Sequence, residues 1–229
     1  MESSFSMTEK DFLPQPYIKE VNNGSITWQA PSNIALVKYW GKKERQIPAN
    51  PSVSFTLNNC KTTTTLNYKK KTSPAQDFDF ELYFEGKIKE DFKPKIATFF
   101  KRIEHYCPFI KEYHFTIKTE NSFPHSSGIA SSASGMSALA LCVLSLEKEL
   151  NPGISEEFFN RKASFLARLG SGSACRSING KIVVWGEHDG IASSSDLFGV
   201  EYSGKVHEIF DNYQDTILLV DKGTKQVSS

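Results

Sequence analysis

The stretch FPHSSGIASSASG, Phe123 to Gly135, sets the tightest limit on what this chain can form. It holds five serines, two glycines and two alanines in thirteen residues and runs without a break into MSALALCVLSLEKEL. There Met136, Leu139, Ala140, Val143, Leu144 and Leu146 recur at mostly helical spacing. A flexible linker shares this composition but rarely ends on an amphipathic segment, so the loop is expected to be fixed to something rigid. Two readings follow. Backbone N–H groups in such a loop, with the dipole of the following helix, suit an anion such as a triphosphate. Alternatively, the small side chains only let a helix start pack closely. The stretch matches neither the P-loop, which ends Gly-Lys-Ser/Thr, nor the three-glycine dinucleotide fingerprint.

Around this loop the chain alternates between strand and helix signals. The start is polar and is expected to be mobile through residue 20. SITWQAPSNIALVKYWGK alternates at Ile26, Trp28 and Ala30, breaks at Pro31 and resumes, which predicts a strand, a turn and a second short element. SVSFTLN and TTTTLNY are β-branched and aromatic runs separated by NCK, and DFDFELYFEGK puts Phe78, Phe80, Leu82 and Phe84 on one face, so the first part is expected to be antiparallel sheet. PKIATFFKRIEHYC, opening on a proline suited to a first helical turn, predicts a helix. YHFTIKTEN returns to alternation, and a helix from Ser155 to Leu169 follows the NPG stop. KIVVWGEHDG and DTILLVD predict two late strands. The order implies an α+β layer rather than a regularly alternating parallel sheet.

Composition narrows the function. The 229 residues carry 27 Lys and Arg against 26 Asp and Glu, so the basic face of a nucleic-acid-binding module is not expected. No apolar run approaches the ~20 residues of a membrane span, and the opening MESSFSMTEKDF lacks the order of a signal peptide, which makes a cytoplasmic location the expectation. Cys60, Cys107, Cys142 and Cys175 lie too far apart for a zinc or redox motif and read as reduced, packed thiols. The five histidines are scattered; only His125 falls inside the serine-rich loop.

Two further stretches can carry chemistry. KYWGKK, Lys38 to Lys43, with Asn33 upstream, offers lysine point charges for phosphate oxygens, the Tyr39 hydroxyl and the Trp40 ring as a rigid wall, or else a strand end with solvated lysines. GSGSACRS, Gly170 to Ser177, offers hydroxyls, N–H groups and the planar fork of Arg176, or else a turn with a helix cap.

APSNIALVKYWGK, FPHSSGIASSASG and GSGSACRSINGKIVVW together resemble the signature stretches of the diphosphomevalonate decarboxylases, within the GHMP small-molecule kinase superfamily, and VDKGTKQVSS is similar to that family's later VSS segment. The resemblance implies a GHMP-kinase-like amino-terminal domain over residues 21–215, residues 216–229 opening a second domain largely missing here. It implies phosphorylation of the 3-hydroxyl of 5-diphosphomevalonate by ATP with Mg2+, then loss of phosphate and carbon dioxide to give isopentenyl diphosphate. Carried over by motif, Tyr39 and Lys42 would hold the diphosphate or other polar groups, with Lys38 and Trp40 shaping the pocket. Ser171 and Ser173 would meet the substrate and Arg176 would clamp its carboxylate. Ser127, Gly128, Ala130, Ser131 and Ser132 would lie by the nucleotide. His125 and the serines after it depart from the family's small residues, so His125 is given no catalytic role.

The family's catalytic base is an aspartate in an Asp-Ala-Gly-Pro-Asn motif absent from this sequence, so no catalytic residue is assigned, and the chain reads as the amino-terminal part of a longer enzyme. Asp189, Asp196 and Asp221 read as turn or strand-end residues. Competing expectations are a related kinase or decarboxylase acting on mevalonate or its monophosphate, and a non-catalytic fragment that binds phosphorylated ligands. A homodimer, or association with a separate carboxy-terminal part, is the expected partner relation.

Overall fold

Two long strands form the spine of the protein: β1 (Asn23–Val37) and β2 (Ser52–Lys70) pair antiparallel along most of their length. The computed structural model describes residues 7–73, 76–125, 128–210 and 212–218. Pro31 pairs with Lys61, but Ser32 pairs with Leu57, so the register slips past Asn58, Asn59 and Cys60. The predicted breaks at Pro31 and at NCK are therefore two sides of one irregularity. Neither strand ends there; the ribbon carries a bulge, placed where Pro31 has no N–H to offer the ladder. Just past it, Ser32 and Asn33 are both buried although adjacent.

Five shorter strands complete the sheet: β3 (Asp79–Phe84), β4 (Lys87–Ile88), β5 (Tyr113–Asn121), β6 (Ile182–Trp185) and β7 (Val200–Glu201). The order is β4-β3-β5-β2-β6-β7, with β1 along the other side of β2. β5 pairs with the far half of β2, from Thr62 to Lys70, and β6 with its first residues, Ser52 to Phe55. In the first part β1–β2 and β3–β4 pair antiparallel, as expected, whereas β3 and the later β5 run parallel, Leu82 opposite Ile117. Helix α1 (Lys93–Ile103) lies between them in sequence and supplies the crossover that parallel strands need. The strand predicted for DTILLVD is not formed over Asp215–Leu218, and the rest of that stretch lies outside the described residues.

Helices α2 (Ser131–Leu150) and α3 (Glu156–Gly170) follow the predicted order. α2 is apolar nearly all round, as befits a helix with the sheet on one side and α3 against another. Its Glu147 meets Lys162 of α3 at 2.6 Å, both side chains almost fully buried, and Lys162 also donates to the Tyr106 carbonyl at 3.0 Å. Gly170 is a packing residue rather than only a stop, since a Cβ there would fall 2.8 Å from the Met136 sulfur.

The segment read as a mobile extension is anchored over residues 8–13. Glu9–Phe12 forms a 3-10 turn capped by the Thr8–Asp11 pair, and Phe12 is 0% exposed, stacked on Phe165 at 4.3 Å. An aromatic ring removed from such a site leaves a cavity as well as lost contact. Phe12→Ala is expected to lower unfolding free energy by about 3–5 kcal/mol, read from urea denaturation; a change near zero would show that the turn contributes nothing to the core.

Candidate active site

Ser32 and Asn33, buried just past the bulge, each reach a different loop. Ser32 Oγ donates to the Ile129 carbonyl, just ahead of α2. Asn33 Nδ2 donates to Ser177 Oγ at 2.7 Å and the Ser173 carbonyl at 3.2 Å, while its Oδ1 accepts from Arg176 NH2 at 3.3 Å. Ser137 of α2 also donates to the Ala174 carbonyl at 2.8 Å. The three stretches that the sequence singled out thus converge on one end of the spine.

Arg176 is the group at the centre. It sits in the 3-10 segment Gly172–Ser177 and is 3% exposed. NH1 donates to Ser52 Oγ at 2.6 Å, and the guanidinium lies 5.6 Å from the Tyr39 ring centre and 5.9 Å from that of Trp185. Its Nε is buried without a hydrogen-bond partner, and among the described residues no carboxylate forms an ion pair with it. Burial pulls its pKa below the usual arginine value. A buried cation with an unused donor and no anion is costly, and a ligand carboxylate or phosphate would relieve it. Gly172 is small for a protein reason: a Cβ there would stand 2.7 Å from the Trp185 ring.

The lysine–aromatic strip is held beside this centre. Asn50 Oδ1 accepts from the Trp40 N–H at 2.7 Å, and its amide donates to the Lys38 carbonyl at 3.0 Å. Tyr39 packs edge-on against Trp185 at 4.9 Å. Burial raises the Tyr39 pKa, partly offset by the Arg176 charge and a hydrogen bond with Ser173. The Lys42 ammonium lies 5.7 Å from the Tyr39 ring centre, its pKa lowered by partial desolvation and then by the charge of Arg102. Lys38 is exposed. Trp40, expected as a wall, is 85% exposed. The buried ring beside Tyr39 belongs to Trp185, which the sequence signalled only as the end of an apolar strand. Ser171 is half-buried at the end of α3, where its N–H donates to Ala167.

At the serine-rich loop the structure separates the residues by task. Ser134 is buried, bonded to Thr62 at 2.6 Å, and Ser137 is committed to backbone oxygens. Ser131 and Ser132 instead line a pocket of ≈ 230 Å³, together with Gly135, Lys95, His125 and Met136. At Gly128 and Gly135 a Cβ would meet nothing within 4 Å, so these glycines are not small for the sake of close packing. Gly128 has φ +85 and Ala130, ahead of the first turn of α2, has φ 52 and ψ 42. Ser127 lies outside the described residues. His125 packs against the rings of Phe84 and Phe92 at 5.0 and 5.3 Å, and burial lowers its pKa. Lys95 went unnoticed in the sequence, where α1 reads only as a packing helix. Its side chain lines the pocket, and its pKa is lowered by desolvation and then by the Lys42 charge.

Among solved structures, mevalonate diphosphate decarboxylase from Staphylococcus aureus superposes with TM-score 0.61 at 30% identity over 78% of this chain and 50% of its own. The Enterococcus faecalis enzyme gives 0.60 at 30% identity, over 79% and 51%. The fold is therefore that of the amino-terminal half of these enzymes. The family model described as the diphosphomevalonate decarboxylase-like N-terminal domain matches residues 30–196. The curated diphosphomevalonate decarboxylase of Debaryomyces hansenii is 34% identical over 215 residues, covering 87% of this chain and 51% of that protein. The chain belongs to the diphosphomevalonate decarboxylase-like family, and it spans about half the length of the curated relatives it matches.

Because Asn33 satisfies Arg176, Ser177 and a backbone carbonyl at once, Asn33→Ala leaves several buried groups without partners. The expected loss is about 1–3 kcal/mol by urea denaturation, and an unaltered midpoint would mean that Arg176 is held by other contacts.

Proposed function

We propose that the protein containing this chain carries out the ATP-dependent decarboxylation of 5-diphosphomevalonate to isopentenyl diphosphate, and that this chain supplies the substrate-gripping half of the site. The observation that supports this most is Arg176, a buried guanidinium with a free Nε and no carboxylate of the chain to balance it. One solved relative, 31% identical, is described as a complex with MVAPP, AMPPCP and magnesium.

In this reading Arg176 holds the substrate carboxylate in one orientation, so that it departs in line with the developing electron demand. Tyr39, Lys42 and Lys38 take the diphosphate, and Ser171 and Ser173 contact the substrate between them. Trp185 gives Arg176 and Tyr39 a fixed wall. Gly128, Ala130, Ser131 and Ser132, with Ser127, border the nucleotide phosphates at the start of α2, where N–H groups lack helical partners. ATP with Mg2+ supplies the phosphoryl group that makes the tertiary hydroxyl a leaving group. Among the described residues no three His, Cys, Asp or Glu side chains gather as a metal cage, and Mg2+ in phosphoryl transfer is held largely by phosphates and water. In this reading Lys42 and Lys95, the latter lining the pocket beside Ser131 and Ser132, would face phosphate charge.

The carboxylate that orients the hydroxyl is proposed to come from outside the described residues. Asp189 is exposed, and Asp196 is engaged with the Glu187 N–H at 2.8 Å. Leu36, Val37 and Trp40, at 51%, 54% and 85% exposure, offer an apolar edge to the remainder of such an enzyme. No helix among the described residues is long and apolar enough to cross a membrane, and the proposed setting is the cytoplasm.

In the complete enzyme, Arg176→Lys is expected to cut turnover roughly a hundredfold or more, in line with the loss of a positioned charge contact, while ATP affinity stays within a factor of about two. Steady-state kinetics with 5-diphosphomevalonate decide it, and parental turnover in the variant would remove Arg176 from the site. Residues 1–229 alone are expected to fold without releasing carbon dioxide from 5-diphosphomevalonate and Mg-ATP. Turnover comparable to that of the complete enzyme would place the base within this chain.

A further inference from the structure

The loop that carries the lysine–aromatic strip is fastened at its far end by groups that the mechanism above does not use. Residues 41–49 fold back on themselves: Ala49 N–H donates to the Gly41 carbonyl at 3.0 Å, Lys43 N–H to Ile47 at 2.8 Å, and Lys42 bridges to Pro48. The tip is Glu44–Gln46, where Arg45 has φ 52 and ψ 35 and Gln46 has φ 61. Two consecutive left-handed residues, neither glycine, persist only where surrounding contacts hold them.

Those contacts come from two distant places. Arg168 of α3 is fully buried, and it donates from NH1 to the Arg45 carbonyl and from Nε to the Leu197 carbonyl at 2.7 Å. Glu9, in the amino-terminal turn, accepts from Arg45 NH1 at 2.9 Å and from the Tyr106 hydroxyl at 3.2 Å, and its other oxygen lies 3.8 Å from Arg168 NH2. The burial of Phe12 keeps that turn in place. An arginine serving only the core would not need its fork aimed at the backbone of a strained loop tip.

We propose that Glu9 and Arg168 are positioning residues for the substrate diphosphate: they clamp the tip of the 41–49 loop in its left-handed turn and so fix Lys42, at the loop's base, beside Tyr39. This rests on the assignment of Lys42 and Tyr39 to the diphosphate made above. The amino-terminal segment thereby becomes part of the binding apparatus, although it touches no ligand.

The test uses Glu9→Gln and Arg45→Ala, since the Arg45 side chain is 73% exposed and its truncation leaves the core intact. Hydrogen exchange is followed at the Lys43 and Ala49 amides, and inorganic diphosphate and ADP are titrated by calorimetry. Both variants are expected to exchange those two amides faster by about tenfold and to bind diphosphate more weakly by roughly three- to tenfold, with ADP affinity unchanged. The double variant should be no worse than the weaker single one, because the two side chains form one link. Unchanged exchange overturns the clamp, and faster exchange with parental diphosphate affinity overturns its role in positioning. Equal losses for ADP and diphosphate would point to general loosening and also overturn it. A parent chain that binds no diphosphate sinks the phosphate assignment and this proposal together, whereas equal binding by parent and variants sinks this proposal alone.

Discussion

The arrangement depends on two buried polar neighbours of one strand, Ser32 and Asn33. They stand just past the register slip at Asn58 to Cys60 and pair in regular succession with Leu57 and Thr56. Successive strand residues point to opposite faces, and here both are covered. Their hydrogen bonds tie the serine-rich loop and the arginine loop to the same point of the spine, so the distance between the two is set by backbone geometry rather than by flexible side chains. Buried polar links of this kind are favourable only when complete, and here each member finds a partner except the Arg176 Nε.

Local chemistry made much of this legible. Helices α1, α2 and α3 follow their apolar spacing, and the three motif stretches announced themselves by residue type. The bulge did not, because Pro31 and NCK each look like the end of a strand when read singly, and only their pairing across the ribbon shows one defect. The parallel β3–β5 pair was likewise hidden, since strand direction is a property of the connection and not of the alternation in either strand. Phe12 looked like part of a polar tail because one aromatic residue in such a segment gives no periodicity.

The sequence also could not say why its glycines are small. Gly170 and Gly172 are constrained by Met136 and Trp185, whereas Gly128 and Gly135 face open space. The same residue type serves dense packing in one loop and vacancy in another, and composition reports both alike. Trp40 and Trp185 show the same ambiguity for aromatics. The ring inside a conspicuous motif is exposed, and the one at the end of an ordinary strand walls the arginine.

The bond between Asn33 and Arg176 also orders events during synthesis. Its two ends are 143 residues apart in sequence, so at translation rates of about 5–20 residues per second the asparagine emerges on the order of 10 s before its partner. Through that interval the bulged ribbon exposes an unsatisfied polar notch to water, which is harmless there but would be costly inside a closed core. The nascent spine therefore cannot complete this network until the arginine loop has been made.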